Sequence, residues 1–323
     1  MDLNLVKNSI LTSPAFVVDE NAIDRNLAEL MALKEQSGCH ILYSIKALPL
    51  ASVIELVKDC CDGLSVSSLF EARLANEILA DSGSIHITTP GLRDEEYEEI
   101  TKLCSHISFN SISQYQRLST KNISDVSLGA RVNPKLSFSD DNRFDPCRPY
   151  SKLGMSFDEL PENIDGIHFH TVFSQIHYQP LELTITQIEE VLGKRLGQLK
   201  WINLGGGYLY HMIDNHQPFI DLVKQLIDKY ALDVYIEPGK AVVGNAAHLV
   251  ATVIDSFISD GKLITVLDTS VNHNPEIFEY QRQPEVVETD VDGKYSSIVV
   301  GSSCLAGDVF GEYRFKKNPV VGA

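Results

Sequence analysis

Short apolar runs recur along the first 240 residues, separated for the most part by stretches with helical periodicity. The runs are rich in isoleucine, valine and aromatic residues, which fit a pleated and buried surface, so they are predicted to be strands. A short strand is predicted over 15–18, and eight more over 40–46, 63–66, 85–88, 106–109, 127–132, 166–170, 201–204 and 233–236. Amphipathic helices are predicted over 20–36, 51–60, 69–80, 94–103, 181–192 and 219–230.

The alternation of eight strands with helices favours a parallel (β/α)8 barrel, a TIM barrel. An open doubly wound sheet is the alternative, but it normally has fewer strands and a glycine fingerprint after the first one. In this chain the glycine run Gly205–Gly207 follows the seventh strand. Beyond Ala241 the pattern changes to strands over 247–257, 263–267 and 296–300, with no helices between them. We therefore predict a barrel domain over 12–245 and a C-terminal β domain over 246–323.

The charge balance limits the partners that the chain can bind. Its 323 residues carry a formal net charge of −17, whereas nucleic acids and anionic membranes require a basic surface, so we expect neither as a partner. No apolar run is long enough for a membrane helix, and the first 14 residues lack the apolar core of a signal peptide. The six cysteines show no framework spacing, so we expect reduced thiols and a cytoplasmic protein.

The predicted strand ends carry the candidate chemistry, because a barrel of this kind builds its active site there. Lys46 ends the first of the eight strands and His170 the sixth, while Gly205–Gly207 follow the seventh and Glu237 follows the eighth. Taken singly, each has an ordinary explanation: a solvated strand end for the lysine, and turns for the glycines and the glutamate. Three consecutive glycines also let backbone amides approach a phosphate.

His168 and His170 lie on the same face of their predicted strand, since side chains alternate along a strand. Such a pair could hold a metal, but apart from Glu237 no other cluster of metal-binding residues falls at the remaining strand ends. We therefore predict no metal site. One histidine is interpreted as catalytic or as stacking on a ligand, and the other as buried structure.

A lysine, a glycine run, a stacking histidine and a carboxylate together suit pyridoxal 5′-phosphate. The lysine can form a Schiff base, the glycine amides can hold the phosphate, and the carboxylate can keep the ring nitrogen protonated. At this point the sequence resembles the fold-type III pyridoxal-phosphate decarboxylases, which have an alanine racemase-like barrel, and among them the carboxynorspermidine (carboxyspermidine) decarboxylases. The resemblance is carried by YSIKA (43–47), SSLFEARL (67–74), FNS (109–111), GARVNP (129–134), SKLG (151–154), GIHFH (166–170), NLGGG (203–207), EPG (237–239) and SCLAGD (303–308).

The resemblance implies a role for each residue of the barrel site. Lys46 would carry the cofactor, His170 would stack on its ring, and Glu237 would pair with the ring nitrogen. The other predicted cofactor-binding residues are Gly205, Gly206, Gly207, Gly239 and Arg131.

The resemblance also implies a homodimer with shared active sites. Cys304 of the C-terminal domain would enter the site of the other subunit and protonate the carbanion that remains after CO2 leaves. Asp308 would line the same site and bind the cationic chain of the substrate, and Asp268 is predicted to bind substrate as well. Lys46, His170 and Cys304 are thus the predicted catalytic residues.

Three features depart from the family pattern. Lys240 stands where the family has an acidic residue and other fold-type III decarboxylases have arginine. Ser174 and Gln175 stand where relatives show a Cys-Glu pair, which puts a contact to the substrate carboxylate in doubt. Relatives continue beyond the position of Ala323 through further strands with a tyrosine that contacts the phosphate, so the C-terminal domain is expected to be incomplete.

The sequence therefore predicts a pyridoxal-phosphate-dependent decarboxylase of a small cationic carboxylated polyamine, carboxynorspermidine or carboxyspermidine, in polyamine biosynthesis. A decarboxylase of another amino acid, or a racemase, is an alternative. Racemases of this fold use a tyrosine from the second domain, so the Cys304 motif favours decarboxylation. A further alternative is a catalytically impaired paralogue that binds the cofactor or a partner protein. The expected incompleteness favours this alternative, and the intact Lys46, His170, Glu237 and Cys304 disfavour it.

Overall fold

The computed structural model describes residues 6, 9–80, 82–121, 125–139 and 141–323. The chain forms two compact units, one of residues 20–246 and the other of residues up to 19 together with 247–323. All six cysteines are free thiols. Among the described residues, the structure contains no helix with the length and apolar character needed to cross a membrane.

Eight parallel strands close the barrel of the first unit, which confirms the predicted fold. Numbered after β1 (Ala15–Val18) of the other unit, they are β2 (His40–Ser44), β3 (Gly63–Val66), β4 (Ser84–Thr89), β5 (His106–Phe109), β6 (Ser127–Arg131), β7 (Gly166–His168), β8 (Trp201–Asn203) and β9 (Asp233–Ile236). Pairing of His40 with Tyr235 joins β2 to β9 and closes the ring. Because all eight strands run in the same direction, their carboxyl ends meet at one rim.

Helices surround the barrel strands. They are α1 (Glu20–Ser37), α2 (Ala51–Val57), α3 (Leu69–Leu79), α4 (Asp94–Leu103), α5 (Ile112–Leu118), α6 (Gln179–Leu192), α7 (Gln217–Tyr230) and the short α8 (Lys240–Val243). In α1 the buried residues Ile23, Leu27 and Leu30 recur at helical spacing and form an apolar stripe. The sequence pattern does not predict α5, because this two-turn helix is mostly polar and its periodicity is weak.

Aromatic rings fill the amino-terminal half of the barrel interior. His86 and His106 stack with their ring centroids 3.8 Å apart and their planes at 13°, and the ring of Tyr235 lies 4.7 Å from that of His86. Burial lowers the pKa of both histidines, so two uncharged rings can stack. Trp201 fits beside them because its neighbour Gly166 has no side chain: a β-carbon there would lie 2.0 Å from the indole. This end of the barrel is therefore packed with side chains.

Two of the predicted strands extend two residues too far. β2 ends at Ser44 rather than at residue 46, and β7 ends at His168 rather than at residue 170. A 3-10 turn, Ile45–Ala47, follows β2 and is closed by a hydrogen bond from the amide of Leu48. The apolar runs continue past the last strand pairing, which explains why the pattern extends the strands. Lys46 and His170 therefore lie in the loops at the rim.

The second unit contains a four-stranded sheet and a two-stranded ribbon. β1 pairs antiparallel with β10 (Ala247–Val250) to form the ribbon. The sheet consists of β11 (Val253–Ser259), β12 (Lys262–Leu267), β13 (Tyr295–Val300) and β14 (Val309–Phe315), in that order. β12 and β13 are parallel, and the other pairs are antiparallel. The buried core of this unit consists of Val271, Ile277, Val299, Phe310 and Tyr313.

The sequence pattern misses β14 and three further features of this unit. The predicted strand 247–257 is two strands, β10 and β11. A short helix, α9 (Glu276–Tyr280), lies between β12 and β13, where no helix is predicted. The predicted barrel domain begins at residue 12, whereas in the structure β1 pairs with β10 of the second unit. Pairing between strands more than 200 residues apart is not visible in a local pattern.

Candidate active site

A cavity of about 860 Å³ opens at the carboxyl ends of the barrel strands. Its walls include Lys46, Arg131, His168, His170 and Glu237. All of these except His168 are predicted site residues, so the fold brings these four candidates to one cavity. The predicted Gly205–Gly207 and Gly239 are not among the residues that line it. The volume is typical of pockets that hold a small molecule or a cofactor. The described part of the chain contains no group of three or more His, Cys, Asp or Glu side chains that could hold a metal ion.

The turn that carries Lys46 packs against the segment that follows β9. The amide of Ser44 donates a hydrogen bond to the carbonyl of Pro238 at 3.0 Å. Gly239 approaches the same turn so closely that a β-carbon on it would lie 3.0 Å from the β-carbon of Ala47. The glycine at 239 therefore brings these two segments together, and its predicted contact with the cofactor stays a prediction. Lys46 itself is exposed at the cavity wall.

Glu237 is a buried carboxylate with fixed partners. It is 7% exposed, and its Oε1 accepts a hydrogen bond from Nδ2 of Asn203 at 2.9 Å. The Asn203 amide oxygen in turn accepts from the backbone N–H of Gly205 at 2.9 Å. Burial acts to raise the pKa of Glu237, but the contact with His168 and the charge of Lys46 hold that pKa well below its usual value. The arrangement favours an ionised carboxylate, as pairing with a protonated ring nitrogen requires.

The glycine run Gly205–Gly207 lies in a space that no side chain could share. A β-carbon on Gly206 would lie 2.2 Å from the carbonyl oxygen of Glu237, and one on Gly207 would lie 2.3 Å from that of Val172. Gly207 also has a φ of +98°, which favours glycine. The run is therefore packed against the backbone of neighbouring segments, and its predicted contact with the cofactor phosphate stays a prediction.

His170 is oriented by the glycine run. The backbone N–H of Gly206 donates to its Nδ1 at 3.2 Å, so in the neutral ring the hydrogen is on Nε2. Burial, together with the nearby cations Lys46 and Arg131, lowers the pKa of His170 to about 3. The ring is therefore uncharged at neutral pH, which suits a face that stacks on a cofactor ring.

Arg131 is the last residue of β6 and pairs in register with His168 of β7. Burial lowers the pKa of Arg131, and the nearby Glu237 opposes this shift. Guanidinium groups remain protonated in proteins, so Arg131 contributes a positive charge to the cavity wall. The charge is compatible with an anionic ligand, and the predicted contact of Arg131 with the cofactor stays a prediction.

The long loop between β6 and β7 supplies cavity residues that sequence reasoning misses. Phe144 of this loop stacks on Phe173, with ring centroids 4.5 Å apart and planes at 12°, and both rings line the cavity. Nζ of Lys240 lies 5.6 Å from the Phe173 ring centroid and donates a hydrogen bond to Oγ of Ser174 at 3.2 Å. Lys240 and Ser174, which both depart from the family pattern, therefore contact each other. For Phe144, the length of its loop is the signal in the sequence that points to a role at the cavity.

The predicted site residues of the C-terminal unit are one exposed thiol and two carboxylates that make internal hydrogen bonds. Cys304 is exposed. Asp308 is 2% exposed and accepts hydrogen bonds from the backbone amides of Val271 at 2.8 Å and Ser303 at 3.1 Å. Asp268 accepts from a backbone amide at 2.8 Å. In the structure Asp308 orders the loop that carries the thiol, and the predicted substrate contacts of both carboxylates stay predictions.

The comparisons with known proteins agree on one family. Residues 15–322 match the model described as pyridoxal-dependent decarboxylase, C-terminal sheet domain. The carboxynorspermidine/carboxyspermidine decarboxylase of Campylobacter jejuni is 33% identical over 97% of this chain and 85% of its own length. The carboxyaminopropylagmatine decarboxylase of Synechocystis is also 33% identical, over 99% of this chain and 85% of its own length.

Solved structures give the same result. The carboxynorspermidine decarboxylase of Campylobacter jejuni, complexed with norspermidine, superposes with a TM-score of 0.86 at 32% identity and covers 97% of this chain and 86% of that one. The diaminopimelate decarboxylase of Helicobacter pylori, with a TM-score of 0.79 at 17% identity over 96% of this chain and 83% of that one, shares the fold.

The fold and the family match define a pyridoxal-phosphate-dependent carboxy-lyase built on a (β/α)8 barrel. More particularly, the chain belongs to the pyridoxal-dependent decarboxylase family, and its sequence is similar to those of the carboxynorspermidine/carboxyspermidine decarboxylases. The chain spans about 85% of the length of these relatives.

The close packing of Gly206 predicts that Gly206→Ala lowers the affinity for pyridoxal phosphate by about tenfold or more, because the added carbon meets the Glu237 carbonyl at 2.2 Å. Fluorescence titration of the cofactor-free protein measures this affinity. Gly197→Ala is the matched control, since its nearest neighbour, the Tyr230 ring, would be 3.9 Å away. Wild-type affinity in Gly206→Ala would contradict the placement of the glycine run at the cofactor site.

Proposed function

We propose that this protein removes the carboxylate of carboxynorspermidine or carboxyspermidine and so completes norspermidine or spermidine. The observation that carries the proposal is the 33% identity over 97% of the chain to the Campylobacter jejuni enzyme of that name. The cavity supports it, because Lys46, His170 and Glu237 all line its wall. A catalytically impaired paralogue would not need to keep these side chains together.

The residues of the cavity fit distinct tasks. Bound pyridoxal phosphate supplies the electron sink for the bond between the α-carbon and the carboxylate. Lys46 provides the amine that attaches the cofactor, and we assign its phosphate to the backbone of the Gly205–Gly207 segment. Glu237, ionised and held by Asn203, keeps a proton on the ring nitrogen. His170, uncharged and oriented by Gly206, covers one face of the ring.

We further propose that the protein works as a cytoplasmic homodimer with shared sites, in which Cys304 of one subunit serves the cavity of the other. The exposure of the thiol supports this role, because a buried thiol could not meet a second subunit. The hydrogen bonds from Val271 and Ser303 to Asp308 would fix the loop that presents the thiol. Six free cysteines are compatible with a reducing compartment.

Carboxyaminopropylagmatine is a second candidate substrate. The Synechocystis relative of that name has the same 33% identity and covers 99% of this chain. Sequence identity therefore does not distinguish the two candidate substrates. A direct comparison of the decarboxylation rates on each substrate does.

We expect CO2 release to be fastest with carboxynorspermidine or carboxyspermidine. Because a pocket shaped for one chain rejects others, kcat/KM should exceed that for diaminopimelate or lysine by at least about tenfold. The same assay on carboxyaminopropylagmatine tests the second candidate, and Lys46→Ala is the inactive control. A preference for diaminopimelate would contradict the substrate assignment, and no turnover of any substrate would favour the impaired paralogue.

Complementation tests the shared site. Lys46→Ala and Cys304→Ala should each be inactive alone, whereas random pairing of equal amounts should restore about a quarter of wild-type activity, since half of the dimers have one intact site. Subunit exchange is checked by mass spectrometry with one variant isotopically labelled. Exchange without recovered activity would contradict the role of Cys304 in a second subunit.

A further inference from the structure

His168 is a buried side chain with unsatisfied polar atoms at the cavity wall. It is 2% exposed, and neither of its ring nitrogens has a hydrogen-bond partner among the described residues. Buried polar atoms without partners are rare in folded proteins, because they give up hydrogen bonds to water without replacement. The sequence interpretation of one histidine as buried structure does not explain why a polar ring occupies this position.

The barrel register places His168 between two other site residues. It pairs with Arg131 on β6 and with Asn203 on β8, so the three lie in one layer at the end of the barrel. Asn203 already donates a hydrogen bond to Oε1 of Glu237 at 2.9 Å. Nε2 of His168 lies 3.5 Å from the other carboxylate oxygen, Oε2, slightly beyond a good hydrogen bond. A small movement of either side chain would complete the pair.

The charges around His168 favour a neutral ring that donates. Burial lowers the pKa of His168, and the cations Arg131 and Lys46 act in the same direction, while Glu237 opposes them. A neutral imidazole has one N–H, and a carboxylate can only accept. The N–H on Nε2 therefore suits Oε2 of Glu237.

We propose that His168 is a positioning residue for Glu237, which its Nε2–H holds through Oε2 while Asn203 holds Oε1. The carboxylate then has a fixed plane and presents its remaining lone pairs to the ring nitrogen of the cofactor. This inference rests on the proposed pairing of Glu237 with that nitrogen. It assigns a task to a side chain that otherwise lacks hydrogen-bond partners among the described residues.

Two replacements separate positioning from simple filling of space. His168→Gln keeps an N–H donor that can reach Oε2, whereas His168→Leu keeps volume without a donor. His86→Leu is the matched control, because it removes a buried imidazole from the packed amino-terminal half of the same barrel. Thermal unfolding of each variant measures the purely structural effect.

The first readout is the visible absorbance of the cofactor-loaded protein without substrate, followed as a function of pH. In His168→Leu, Glu237 should be held less well. The ring nitrogen of the cofactor should then lose its proton at lower pH, so the midpoint of the spectral change should move to lower pH. His168→Gln should restore the wild-type midpoint, and His86→Leu should leave it unchanged. Under the same conditions kcat of His168→Leu should fall by about 10- to 100-fold with KM within about twofold.

A wild-type midpoint and kcat in His168→Leu would overturn the positioning role. Equal losses in the glutamine and leucine variants, with normal folding, would also overturn it, because the donor would then not matter. If the leucine variant does not fold, His168→Met takes its place as the apolar replacement. Wild-type protein that never binds pyridoxal phosphate would overturn the proposed function itself, whereas the two preceding results would leave that function standing.

Discussion

The charge of one buried carboxylate, Glu237, is the constraint on which the candidate site depends. A carboxylate that is 7% exposed is stable only if other groups replace the lost water. Asn203 supplies a hydrogen bond, and His168 and Lys46 lower the pKa of Glu237 against the effect of burial. Removing these neighbours would favour the protonated carboxyl, which cannot hold a positive charge on a cofactor ring.

The barrel supplies those neighbours through its register and through the absence of side chains at key positions. The carboxyl ends of β6, β7 and β8 bring Arg131, His168 and Asn203 into one layer. The amide of Glu237 donates to the carbonyl of Gly205, which brings the glycine run against the carboxylate segment. The same local packing therefore holds the charge directly beside the glycine run, for which we predict a contact with the cofactor phosphate.

The alternation of strands and helices made the barrel predictable, because eight buried strands each leave an apolar run in the sequence. Residues at the rim were predictable where an unusual residue type follows such a run, as with Lys46 and Glu237. Phe144 and Phe173 were not, because two ordinary phenylalanines meet only when distant loops fold together. The pairing of β1 with β10 depends likewise on contacts between the ends of the chain, which local periodicity does not encode.

The most direct test of the central claim is the visible absorbance spectrum of the purified protein during titration with pyridoxal phosphate. If Lys46 holds the cofactor in the barrel cavity, the wild-type protein gains a saturable visible band and Lys46→Ala, with its fold intact by circular dichroism, does not. A wild-type protein that stays colourless at saturating cofactor, or a Lys46→Ala variant with the same band, would contradict the assignment.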